Sequence, residues 1–276
     1  MSNHPLTLMA VHAHPDDEAS STGGLLARSA AEGIATIVVT CTNGELGDDV
    51  NGAKPNTDGH DRTRVVRNRR AELAESCAIL GVGTLATLGY RDSGMAGWPE
   101  NDEPGSFWSM DVTEAARPLV ELIEEHRPQV LVTYDANGFY GHPDHIQAHR
   151  IAIAAATTTG IPQKIYFPTF PHSVMPAFIE ALRETDEKIP TPEGDAAPDL
   201  NFGTPDAEVA AWIDCSTVIG QKRAALAAHA SQTEATFFMK IATERFNAMF
   251  GTEAYLRHLD VTGTPTPEDD LFAGLR

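Results

Sequence analysis

The chain is short of cysteine, of positive charge and of long apolar runs. Only Cys41, Cys77 and Cys215 occur, an odd number with no CxxC pair. That excludes a disulfide framework and a zinc ribbon; buried thiols in a reducing, cytoplasmic compartment are the expectation. Lys and Arg number 20 against 39 Asp and Glu, a formal charge of −19. Such a chain has no basic footprint for nucleic-acid phosphates and no attraction to an anionic membrane surface. No apolar run approaches the ~20 residues of a membrane span. No Lys or Arg precedes Arg28, so the start of the chain lacks the basic segment of a secretory signal. Hydrophobic residues still make up 42 %, which excludes wholesale disorder.

What the chain does have is alternation. Residues 6–12, 35–42, 85–88, 130–134 and 164–170 read as strands, short runs rich in apolar and β-branched residues. Residues 25–32, 62–80, 112–126 and 143–158 carry helical spacing between them. Repeated strand, helix, strand predicts an α/β, Rossmann-like three-layer fold with a mostly parallel sheet. Residues 1–170 are expected to form the core. Residues 171–276 are expected to pack on it and complete the pocket, with a Pro- and Asp-rich loop or lid at 184–205, a strand at 209–213 and a helix at 218–230. Residues 262–270 read as a solvated tail.

The chemistry concentrates after two predicted strands. His14-Pro15-Asp16-Asp17-Glu18 follows the first, and Tyr140-Gly141-His142-Pro143-Asp144-His145 follows the fourth. Three acids and a histidine in five residues repel one another unless a cation sits among them. His14 and Asp17 are three apart, as are His142 and His145, so one helical turn aims each pair at one point. Asp16 falls between its pair and is left for proton transfer. Asp144 is placed to hold an imidazole tautomer from behind. In strand order 3-2-1-4-5 both clusters meet at the sheet's switch point, beyond the carboxyl ends of the strands. A His, Asp, His set with an open position suits catalytic Zn2+, and Fe2+ takes the same set. The string from Gly81 to Ala86 matches G-x-G-x-x-A, but it follows a helix and precedes a strand, the wrong order for a dinucleotide fingerprint.

These two clusters resemble the PIG-L/LmbE-like zinc-dependent deacetylases over residues 6–149, and more loosely around His229. Within that family the chain is similar to the N-acetylglucosaminyl-inositol deacetylases and the mycothiol S-conjugate amidases. The run from Arg91 to Gly97, RDSGMAG, resembles the deacetylases. The amidase pattern carries a lysine shortly after the first motif, where this chain has Ser21 and Thr22. The resemblance implies metal ligands at His14, Asp17 and His145 and a general base at Asp16. It implies an acid or oxyanion donor at His142, a carbonyl-polarising Tyr140, and substrate-hydroxyl contacts at Arg69 and Asp92. The implied activity is hydrolysis of a linear amide: removal of an N-acetyl or other N-acyl group from a small amino-sugar substrate. Amidase action and a non-catalytic metal- or sugar-binding module are the alternatives. Protonated His142 is the expected oxyanion donor. His12 and His229 are open between structural and site roles, as is a homo-oligomer.

Overall fold

The structure, a computed structural model, describes residues 5–185 and 203–276. β1 (Thr7–His12) leads into α1 (Asp17–Ala31) and β2 (Ala35–Thr42). Next come α2 (Arg62–Leu80), β3 (Thr84–Tyr90), α3 (Val112–His126) and β4 (Val130–Val132). A single turn, α4 (Gly138–Gly141), precedes α5 (Pro143–Thr159) and β5 (Lys164–Thr169). The C-terminal part adds α6 (Met175–Thr185), β6 (Ala211–Asp214), α7 (Ile219–Ala228), α8 (Thr233–Lys240), α9 (Thr243–Phe250) and β7 (Thr252–Asp260). The sheet order is β3-β2-β1-β4-β5-β7-β6. Its first five strands are parallel in the expected 3-2-1-4-5 order, and β7 and β6 add antiparallel beyond β5.

Both β1 and β4 are buried throughout, as strands covered on two faces must be. Alternate side chains of a strand point to opposite faces. Leu8 and Ala10 join a layer with Leu26 of α1, Leu73 and Leu80 of α2 and Leu226 of α7. Met9 and Val11 join a second layer with Leu119 and Ile123 of α3 and Ile151 of α5. Each such side chain contributes roughly 1.5–3 kcal/mol on burial, so the two apolar layers hold helices against both sides of the sheet.

Three expectations are corrected. The first helix begins at Asp17 rather than at residue 25. Residues 20–24, Ser-Ser-Thr-Gly-Gly, are poor helix formers, but packing overrides propensity here. A Cβ on Gly24 would stand 2.6 Å from Cys215 Sγ, so only glycine lets α1 approach this closely. The Glu253 carboxylate seals that contact by accepting the N–H groups of Gly24 and Leu25 at 2.7 and 2.9 Å. The second correction is β7, a nine-residue strand not foreseen. The third concerns one residue of the tail, which is otherwise exposed or half-buried as expected. Glu268 is buried and accepts hydrogen bonds from Lys164 Nζ at 2.6 Å, the Tyr166 hydroxyl at 2.9 Å and Arg257 at 2.9 Å. The lid expected at 184–205 falls largely outside the described residues.

Candidate active site

The sheet reverses its winding between β1 and β4, which leaves a crevice beyond their carboxyl ends. The loop after β1 delivers His14, Asp16 and Asp17; the turn after β4 delivers Tyr140, His142, Asp144 and His145. The two clusters meet there. The His14 and His145 ring centroids are 5.3 Å apart, and those of His14 and His142 4.6 Å. Among the described residues, ligand atoms of His14, His142 and His145 lie within 4.8 Å of one another, as do those of His14, Asp92 and Asp144.

Hydrogen bonds set the tautomers. His145 Nδ1 lies 3.2 Å from the Gly138 carbonyl, which fixes the proton on that nitrogen. Its Nε2 is buried, has no hydrogen-bond partner and stands 3.6 Å from Asp17 Oδ1. His14 Nε2 lies 3.2 Å from Asp144 Oδ2 and its Nδ1 3.5 Å from Asp17 Oδ2. Burial lowers the His14 pKa, but Asp92, Asp144 and Asp17 together hold it well above the ordinary imidazole range, so with no cation beside it both nitrogens carry protons. At His145 an acceptor thus faces an acceptor, Nε2 against Asp17 Oδ1. Burial pushes His145 down to about 4, so it does not relieve the conflict by taking a proton. A cation does relieve it. Donors bound at ~2.0–2.1 Å around a tetrahedral ion stand about 3.4 Å apart, close to the spacings present. The donor chemistry of His14, Asp17 and His145 suits a divalent metal, although the two spacings run to different oxygens of Asp17 and the converging imidazoles include His142. Gly138 supports the arrangement: a Cβ there would meet His145 Cβ at 2.8 Å, and its φ of 62° suits glycine.

Asp16 occupies a conformation that side chains avoid, φ 121° and ψ −28°. Such strain costs on the order of 1–3 kcal/mol and persists only where neighbours enforce it. Arg69 is one enforcer. Its guanidinium donates to Asp16 Oδ2 at 2.8 Å, to the Gly44 carbonyl at 2.9 Å and to the Pro15 carbonyl. Glu18 is another, accepting the Asp16 N–H at 3.0 Å. Burial pushes the Asp16 carboxyl up to about 6, against the pull of Arg69. A carboxylate that titrates there is suited to taking and returning protons near neutrality.

The remaining residues surround this centre. Asp144 is fully buried; besides facing His14 it accepts the Ser93 N–H at 2.9 Å. Asp92 is buried, with Oδ1 3.8 Å from His14 Nε2, and accepts the N–H groups of Gly94 and Leu46. Arg69 is only 4 % exposed, so its contacts are with the chain itself. Tyr140 is 38 % exposed, its ring centroid 5.0 Å from that of His145 and 6.1 Å from that of His142. His142 Nδ1 accepts the Asp144 N–H at 3.1 Å, so its single proton resides on Nε2. Burial, reinforced by His14 and His145, holds His142 well below the ordinary imidazole range. The expected protonated donor is thus a neutral one. His12 is buried and hydrogen-bonded to Thr22 at 2.9 Å.

Sequence reasoning missed Tyr134. Its buried hydroxyl donates to Asp17 Oδ2 at 2.6 Å and accepts the Ala13 N–H at 2.8 Å, tying the β4 tip to the β1 tip. Only its place at the end of a strand beside the motif signalled it.

Fold and site together define an α/β protein with clustered histidines and carboxylates that could hold a metal at its switch point. The family model described as "PIG-L: GlcNAc-PI de-N-acetylase" matches residues 9–156, and the chain belongs to that family. A 1D-myo-inositol 2-acetamido-2-deoxy-alpha-D-glucopyranoside deacetylase from Salinispora arenicola is 41 % identical over 281 residues, covering 97 % of this chain and 91 % of its own length. Its counterpart from Geodermatophilus obscurus is 41 % identical over 286 residues, covering 97 % of each. Among solved structures, N,N'-diacetylchitobiose deacetylase from Pyrococcus horikoshii superposes with a TM-score of 0.62 at 17 % identity, over 95 % of this chain and 86 % of its own. The hydratase GalB from Pseudomonas putida does so at 0.60 and 20 %, over 94 % and 99 %. Those two structures share the fold, and a fold hosts more than one chemistry. No helix among the described residues is long and apolar enough to cross a membrane.

Proposed function

We propose that this chain is a metal-dependent N-deacetylase whose substrate is an N-acetylglucosaminyl-inositol, releasing acetate and the free amine. The observation that carries the substrate reading is identity of 41 % to deacetylases of that compound across 97 % of the chain. The site chemistry agrees. His14, Asp17 and His145 would hold the cation, zinc on the character of the donor set, with iron(II) compatible with the same set. A divalent ion there supplies positive charge that acidifies water and polarises a carbonyl oxygen. Asp16 takes a proton from the attacking water and returns it to the departing nitrogen, so one carboxyl serves as base and then acid. His142 Nε2–H donates to the oxyanion as it develops, a role a neutral imidazole performs without a further proton. Tyr140, at the pocket's exposed margin, adds a second donor from the solvent side. Asp144 keeps the His14 imidazole in the tautomer that presents Nδ1. Arg69 positions Asp16 rather than the substrate.

The test is free-amine release from N-acetylglucosaminyl-inositol, from plain N-acetylglucosamine and from a thiol S-conjugate amide, with metal content measured. Turnover of the inositol conjugate well above the other two is expected. Preferential cleavage of the S-conjugate would overturn the reading in favour of the amidase.

A further inference from the structure

Glu18 and His229 are both completely buried, and neither has a part in the chemistry above. They lie 211 residues apart: Glu18 in the first turn of α1, His229 at the residue that ends α7. His229 Nε2 stands 2.7 Å from Glu18 Oε1. The Ser76 hydroxyl of α2 donates to the same oxygen. The other oxygen, Oε2, accepts the N–H of Asp16 at 3.0 Å. Two donors on one oxygen fix the plane of the carboxylate, and fixing the plane fixes where Oε2 points. It points at the peptide of the site residue with φ 121°.

We propose that the Glu18–His229 pair is a positioning device for Asp16, clamping its peptide N–H so that the strained backbone keeps the carboxylate in place. Helices α2 and α7 thereby set the geometry of the base through Ser76 and His229. The pair explains why a histidine from the far end of the chain is driven into full burial beside the first motif. A merely structural pair would hold α7 to α1 without touching the Asp16 peptide.

The inference rests on Asp16 being the base. Asp16→Asn, which should keep its metal and lose turnover, tests that reading, and amide exchange at Asp16 tests the clamp without turnover. The probes are His229→Asn, whose side chain is too short to reach Glu18, and His229→Gln, whose amide nitrogen falls near the place of Nε2. Displacing a reacting group slightly costs about tenfold or more in rate, so His229→Asn should lower kcat by about that factor. Its KM should stay within about twofold of wild type and its metal content unchanged, while the Asp16 N–H exchanges at least about tenfold faster by NMR. His229→Gln should restore both kcat and Asp16 protection to within about threefold of wild type. Unchanged kcat in His229→Asn, loss of metal together with kcat, or a folded His229→Gln as impaired as His229→Asn would each overturn the proposal. Should His229→Asn not fold, Ser76→Ala decides. It removes the other donor to Oε1, and unchanged kcat and unchanged exchange at Asp16 would then overturn the clamp.

Discussion

The tips of β1 and β4 carry nearly the same tetrapeptide, His14-Pro15-Asp16-Asp17 and His142-Pro143-Asp144-His145, and use it differently. After β4, His142 is the helix cap, Pro143 takes the first helical position, and Asp144 is turned inward to complete burial. After β1, the cap is Asp16 itself, two places later in the motif, at a φ of 121° and with no side-chain cap bond. Its side chain stays 21 % exposed. The third residue of His-Pro-Asp therefore reaches solvent at one tip, where we propose that it is the base, and is buried behind His14 at the other. The position of the helix start decides the role, and the residue type does not.

That contrast can be broken in three ways, beginning with the largest effect. His145→Ala, or removal of metal by chelation, should take turnover to background. Metal analysis of the variant beside acetate release checks it, and a full metal complement would refute the donor set. Asp16→Asn and Asp144→Asn should then separate. The first should keep its metal and lose roughly 10²–10⁴-fold in kcat. The second should weaken metal binding by roughly 10–100-fold. Paired metal titrations and kinetics read the difference, and exchanged phenotypes would end the comparison. The smallest effect is on pH. Asp16 works ionised, burial raises its pKa and Arg69 lowers it. Removing the guanidinium in Arg69→Gln should raise that pKa, so the acid limb of kcat/KM moves to higher pH. A limb that stays in place would show that Arg69 does not set the charge of the base.

Much of this was legible because it is local. The five parallel strands are short apolar runs between helical spacings, and 3-2-1-4-5 brought the two motifs together before any coordinates did. What escaped notice depends on distant partners. Residues 262–270 look solvated, being rich in Pro, Thr and acids, because the groups that bury Glu268 include Lys164 and Tyr166, about a hundred residues earlier. The early start of α1 hides behind a Ser- and Gly-rich run that only Cys215 and Glu253 explain. The charge state of His142 follows first from its burial and then from neighbouring groups, with a backbone N–H on Nδ1, none of which the motif announces.

Lys164 has a consequence for how the molecule is held together. Its ammonium lies at zero exposure within β5, and its carboxylate partner is residue 268. A buried charge left without its partner costs roughly 3–5 kcal/mol. A domain's whole margin is only about 5–15 kcal/mol. Removing the Glu268 carboxylate from the folded protein would therefore cost a large share of that margin. The strand beside β4 thus depends on a residue about a hundred positions further along the chain.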